Sequence, residues 1–166
     1  MKADNYKYRF YLYMANSEEI GVNLTHTERI YSIGEAAEVL GVSIPLLRLY
    51  EREGLVIPFR RGSRHRRYTS TDLERIRCVR DMINKEKVSI AGIQHLLSLI
   101  PCWKIKGCPA TARAGCPAFL QHSKPCWMIS NKPWDCRNDE CRVCSVYTDC
   151  SSCQSLKQVI AGSISS

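Results

Sequence analysis

The stretch Ser32-Ile33-Gly34-Glu35-Ala36-Ala37-Glu38-Val39-Leu40-Gly41-Val42-Ser43-Ile44-Pro45-Leu46-Leu47-Arg48-Leu49-Tyr50-Glu51-Arg52-Glu53-Gly54 decides the fold, because it reads as two short helices joined by a tight turn. Ser32 and Glu35 stand at capping-box spacing: the serine hydroxyl accepts from the first turn while the glutamate reaches back to the Ser32 amide. Ile33, Ala36, Ala37 and Leu40 then recur at helical intervals and give one apolar face. Gly41 ends this helix, since a residue without a Cβ takes the left-handed turn at least cost. Ser43 caps the next helix, Ile44 to Glu53, whose first turn tolerates Pro45 because amides there lack intrahelical partners. Gly54 stops it. Two short helices around a glycine-containing turn match the helix-turn-helix pattern.

Downstream, Leu55, Val56 and Ile57 lead through Pro58 into Arg60, Arg61, Arg64, His65, Arg66 and Arg67, and Tyr68 closes the segment. This arrangement reads as a hairpin-like wing between helices. Thr71-Asp72-Leu73-Glu74 offers another capping box, followed by Leu73, Ile76, Arg77, Arg80 and Ile83 at helical spacing. Ser89 introduces a further amphipathic helix through Ile90, Ile93, Leu96, Leu97 and Ile100, which Pro101 ends. Together these helices bury one small core. Cys78, beside Val79 and Met82, reads as a small buried apolar residue within it. An isolated basic run is ordinarily a solvated loop. Flanked by a helix-turn-helix, this one points to DNA, and arginine in place of lysine favours forked contacts to phosphate.

Four motifs resemble the MerR family of winged helix-turn-helix regulators. Tyr31 to Ala37 is similar to that family's first helix, Leu47 to Leu55 to its recognition helix, Arg67 to Leu73 to its wing exit, and Val88 to Ile93 to its second helix pair. The resemblance implies that a dimer recognises a palindromic promoter, with the helix after Ser43 in the major groove and the wing on flanking backbone. It places Arg48 at the family's phosphate-contacting arginine, Tyr50 as a core or backbone contact, and Ser43, Arg60, Arg61, Arg64, His65, Arg66 and Arg67 along the DNA-facing surface. Such contacts set register and affinity rather than sequence preference. The family bends and untwists promoters whose spacer is too long, so RNA polymerase is engaged indirectly, through DNA shape. Leu49 departs from the aromatic residue common at its position. A larger departure is Pro101-Cys102-Trp103, which breaks the pattern where many members continue into a long dimerisation helix. Either the cysteine-rich part or a shorter helix contact would then form the interface.

Composition agrees with this outline. The chain has 166 residues, 45% of them apolar, which suits a folded protein of one domain or two small ones. Its formal net charge of +8 suggests an anionic partner. No apolar run approaches the roughly 18–20 residues needed to span a bilayer. Lys2 to Asn16 carries Tyr6, Tyr8, Phe10, Tyr11 and Tyr13 without a secretory apolar core or cleavage site, so it reads as an arm or strand or a loose tail, and a cytoplasmic location is expected.

Cysteine usage divides the chain. Only Cys78 precedes Pro101, whereas Cys102, Cys108, Cys116, Cys126, Cys136, Cys141, Cys144, Cys150 and Cys153 follow it. The expected organisation is an arm over 1–29, a winged helix-turn-helix domain over 30–100, a cysteine-rich module over 101–154 and a tail over 155–166. The fold class is mainly α, the winged domain being followed by a small, metal-stabilised irregular module. Pro101-Cys102-Trp103 recurs as Pro125-Cys126-Trp127, and Cys108-Pro109-Ala110 as Cys116-Pro117-Ala118. The repeated Cys-Trp pattern is similar to cysteine-rich modules appended to other bacterial sensory proteins.

Thiolates in a reducing compartment are soft ligands, so all nine are candidates for zinc or an iron–sulfur cluster. Cys141/Cys144 and Cys150/Cys153 are two C-x-x-C pairs, closer together than the roughly 15–20 residues separating the pairs of zinc ribbons. This closeness, with cysteines followed by proline, tips the balance toward iron–sulfur without excluding zinc. Trp103, Trp127 and Trp134 either shield such a site from water or form the module's own core. The metal either folds the module or senses metal or redox state and repositions two DNA-binding domains. A DNA-binding protein with purely structural zinc is a further alternative. A thiol–disulfide oxidoreductase is the enzyme alternative, but the βαβ context of that chemistry is missing, as are paired carboxylates, a phosphate-cradling loop and a nucleophilic triad.

Overall fold

The computed structural model describes residues 29–59, 65–132, 136 and 140–164, and the architecture is mainly helical with a two-stranded sheet. The aromatic arm expected over 1–29 lies almost wholly outside the described residues, as do Arg60, Arg61, Arg64 and Trp134.

Strand β1 (Ile30–Ser32) runs into helix α1 (Ile33–Leu40), where Ser32 and Glu35 form the expected reciprocal box. The Ser32 amide donates to the Glu35 carboxylate at 2.7 Å and holds that carboxyl below its ordinary range. Gly41 takes φ 60°, and its amide closes on Ala37 and Glu38 carbonyls. Helix α2 (Ile44–Arg52) starts at Ser43, whose hydroxyl accepts from the Leu46 amide at 3.3 Å.

Strand β2 (Arg67–Thr69) pairs antiparallel with β1, Tyr31 opposite Tyr68. Arg67 also exchanges backbone hydrogen bonds with Phe59, at 3.0 and 2.9 Å, so the base of the wing is closed there. Helix α3 (Ser70–Asn84) corrects the expected cap at Thr71 and Glu74: the box is Thr69 with Asp72. Thr69 ends β2 with an extended backbone, φ −95° and ψ 171°, which is the conformation an N-cap needs. Helix α4 (Ile90–Ser98), capped by Ser89, ends before Pro101, and the helix after it, Cys102–Ile105, is a single turn.

Leu47, Leu55, Tyr68, Leu73, Ile76 and Ile93 are each 0–1% exposed and form the centre of the core. Each aliphatic member contributes about 1.5–3 kcal/mol of burial. The cysteine-rich half joins this core rather than standing apart. It comprises α5 (Cys102–Ile105), α6 (Ala110–Ala114), α7 (Pro117–Leu120), single turns at Cys126–Met128 and Cys141–Val143, α8 (Ser145–Thr148) and α9 (Cys153–Ile164). Val146, Cys150 and Leu156 belong to the same buried cluster as Leu47 and Leu73. Residues expected as a tail after 154 therefore continue α9, which returns to pack on α3.

One covalent bond corrects two expectations together. Cys78 on α3 is disulfide-bonded to Cys153 at the start of α9, with Cα atoms 5.4 Å apart. Cys78 is thus more than an apolar filler, and Cys153 leaves the set of available thiolates.

Candidate nucleic-acid interface and thiol-lined cavity

Helix α2 presents two contrasting faces. Leu47 and Tyr50 are buried, while Ser43, Ile44, Pro45, Arg48 and Arg52 are exposed. Ser43 caps the helix, and Arg48 stands one turn further along the open side. Arg48 shares an open groove with Ser32, Ile33, His65, Arg66 and Arg67, so the recognition helix and the returning wing form one basic surface. Tyr50 is 3% exposed and packs inward, the core alternative of the two places expected for it.

Arg66 is also paired within the protein. Its Nε donates to the Glu51 carboxylate, and the Tyr68 hydroxyl donates to the other oxygen of that carboxylate. Burial, with the Glu51 contact, drives the Tyr68 phenol far above its ordinary range and keeps it a donor. Glu51 thereby ties α2 to the wing, a link that sequence spacing alone could not reveal.

The cysteine-rich half packs against the opposite side of the wing root. Trp127 Nε1 donates to the Gly54 carbonyl at 2.7 Å, and the Ile57 amide donates to the Tyr147 hydroxyl at 2.8 Å. Arg142 donates to both Asp72 carboxylate oxygens, at 3.0 and 2.6 Å, and to the Ile57 carbonyl, while lying 5.0 Å from the Phe59 ring centroid. Arg75, buried on α3, donates to the Tyr147 carbonyl and lies 3.9 Å from the centre of its ring. Sequence reasoning missed Arg142, Tyr147 and Arg75. The available signal was Arg142 inside a C-x-x-C pair, a costly place for a charge unless it has a partner.

Trp127 and Tyr147 also form part of the wall of a partly open cavity of about 50 Å³. Cys102, Cys108, Cys116, Cys126, Cys136, Cys141 and Cys144 all line it, joined by Trp103, Phe119 and Lys132. The two sequence repeats explain the convergence. Pro101 and Pro125 each precede a short turn whose first residue is cysteine, and these cysteines, Cys102 and Cys126, are in thiol–thiol hydrogen-bond contact. That bond brings Cys102 down to about 7 and pushes Cys126 strongly up. Trp103 meets Phe119 edge-on at 5.0 Å, and Trp127 meets Tyr147 edge-on at 5.2 Å.

Lys132 Nζ donates to Cys141 Sγ at 3.1 Å. Burial opposes its charge, but Cys141, Cys126 and Cys136 outweigh burial and raise the lysine. The expected ligand set is therefore divided. Seven cysteines surround the cavity, whereas Cys150 is buried in the common core, where burial raises its thiol to about 11, and Cys153 is in the disulfide. Among the described residues, no three His, Cys, Asp or Glu side chains stand close enough together to hold a single metal ion. None of the described helices is long and apolar enough to cross a membrane.

The profile described as "MerR HTH family regulatory protein" matches residues 31–100. A curated relative from Streptomyces coelicolor, carrying the name heat shock protein HspR, is 38% identical over 76 residues, covering 46% of this chain. The chain spans about half the length of that relative, 50%. No solved structure matches the chain significantly. The capped helix pair, the wing root and the profile match coincide, so residues 31–100 are similar in both sequence and architecture to the MerR helix-turn-helix family.

Proposed function

We propose that this chain is a cytoplasmic, DNA-binding transcription regulator that acts as a homodimer on double-stranded promoter DNA and influences RNA polymerase through the shape it imposes on that DNA. The observation that carries this reading is the shared groove of Arg48, His65, Arg66 and Arg67, set on the face of α2 opposite its buried Leu47 and Tyr50. A helix with one face in the core and a basic open face, beside a wing returning at the same level, has the geometry for groove entry with flanking phosphate contacts.

The cysteine-rich half is proposed as the regulatory element, responsive to metal or redox state. Its support is physical proximity: Trp127 and Tyr147 line the thiol cavity and also hydrogen-bond to Gly54 and Ile57 at the wing root. A change of cavity contents that moves either ring changes the placement of the wing.

The test is titration of the full-length chain onto a labelled duplex from upstream of its own coding region, across a salt series. Salt-sensitive binding of two chains per palindrome, with distortion of the duplex, is expected. Equal affinity for that duplex and scrambled duplexes would refute promoter recognition, and one chain per site would refute the dimer.

A further inference from the structure

Resting on the proposal that the cysteine-rich half is a cofactor-bearing regulatory element, we propose that its cavity holds an iron–sulfur cluster, ligated by thiolates of Cys102, Cys126, Cys136 and Cys141, with Lys132 as the resident counter-charge. The choice of cofactor follows from the donor set and its spacing. Seven of the residues lining the cavity are cysteines, and no carboxylate or imidazole joins them. Four thiolates on one zinc ion sit about 2.3 Å from it and must crowd together. Inorganic sulfide bridges hold the terminal thiolates of a cluster further apart, around a larger centre. Seven cysteines line this one cavity, more than the four a single tetrahedral ion takes, and a larger centre accommodates that spread.

The ligand assignment follows from contacts. Cys102 and Cys126 touch through their thiols, and Lys132 hydrogen-bonds Cys141 while interacting with Cys126 and Cys136. These four therefore occupy one neighbourhood around the ammonium. A cluster with four thiolate ligands carries net negative charge, and a half-buried lysine beside it offsets that charge where water is scarce. Each thiol gives its proton to solvent on binding iron, and the bridging sulfide comes from solution. The walls of Trp103, Trp127 and Phe119 limit water access, which sets cluster stability and potential.

The experiment uses the full chain, purified anaerobically and incubated with ferric and ferrous iron and sulfide, so that the ferric iron supplies the oxidised metal of the cluster, against a parallel sample given zinc alone. Expected are iron and acid-labile sulfide in equal amounts, a visible charge-transfer absorption, and at least tenfold loss of both in Cys102→Ser/Cys141→Ser. Cys150→Ser, a cysteine outside the cavity, retains the cluster and reports that the fold tolerates a thiol-to-hydroxyl change. Lys132→Met retains iron but moves the midpoint potential to more negative values. Stoichiometric zinc without sulfide uptake overturns the cluster, full cluster content in the double variant overturns the ligand assignment, and an unchanged midpoint overturns the role of Lys132. All of these readings are made without DNA, so a failure of promoter binding is registered separately and leaves them intact.

Discussion

Arg142 and Asp72 form a buried ion pair at 2.6 Å, with side chains 13% and 3% exposed, and the same Asp72 is the partner of the N-cap Thr69 in the capping box of α3. A carboxylate that terminates a helix of the winged domain is therefore also the anchor for the cysteine-rich half. The Thr69 amide donates to Asp72 at 2.8 Å from one side, and Arg142 covers the carboxylate from the other. Since Arg142 also donates to Ile57, it spans the base of the wing between Cys141 and Cys144.

Arg142→Ala leaves Asp72 buried without its cation, and removal of one partner of such a pair costs about 3–5 kcal/mol. Chemical denaturation will show a midpoint shifted by about this stability, and DNA affinity will fall although Arg142 touches no part of the basic groove. The double variant Arg142→Ala/Asp72→Asn will lose less than the two single variants added together, because the pair is coupled. Additive losses would contradict the linkage.

Gly54→Ala tests the docking of the two halves at a single atom. Gly54 has φ 65°, and an added Cβ would lie 2.3 Å from Met128 Sδ. The left-handed backbone costs an alanine about 1–2 kcal/mol by itself. Met128 is flexible and can retreat, but Trp127, its neighbour, is bonded to the Gly54 carbonyl. Gly54→Ala will destabilise the protein by more than about 1 kcal/mol, and adding Met128→Ala will recover only the steric part. Thermal melts of both variants measure the division.

The winged domain was legible because its signals are local. Ser32, Glu35, Gly41, Ser43 and Gly54 act within a few residues of themselves, and the structure places each cap where spacing puts it. The cap of α3 was misplaced by two residues, since Thr69 and Thr71 both precede an acid at the same spacing and only pairing of β2 with β1 decides between them. Convergence of Cys102 with Cys126 was foreshadowed by the repeat. The Cys78–Cys153 bond and the Arg142–Asp72 pair depend on contacts across the fold, for which spacing carries no information.

The disulfide and the buried thiol predict a pattern of cysteine reactivity. At pH 8 in the native protein, Cys150 stays protonated because burial raises it to about 11, and Cys78 and Cys153 are blocked by their bond. Alkylation of the protein prepared without metal, followed by mass spectrometry, will modify Cys102 well before Cys150. Reduction, or Cys78→Ser, frees α9 from α3 across a separation of 75 residues and will lower stability by about 2–4 kcal/mol. Rapid native labelling of Cys150 would contradict the shared core.

The basic groove makes a prediction that separates its arginines by mechanism. Arg48 is exposed on α2, so Arg48→Ala should remove a phosphate contact, weaken duplex binding at all sequences alike and reduce the salt slope by about 1, with little change in thermal stability. Arg66 is bonded to Glu51, so Arg66→Ala should lower both stability and affinity, because it releases the tie between the wing and α2. Tyr50→Phe should leave the salt slope unchanged, as the ring faces the core. Fluorescence anisotropy across a salt series, paired with melting curves, reads the three variants together. An unchanged slope for Arg48→Ala would place the DNA on another face of the protein.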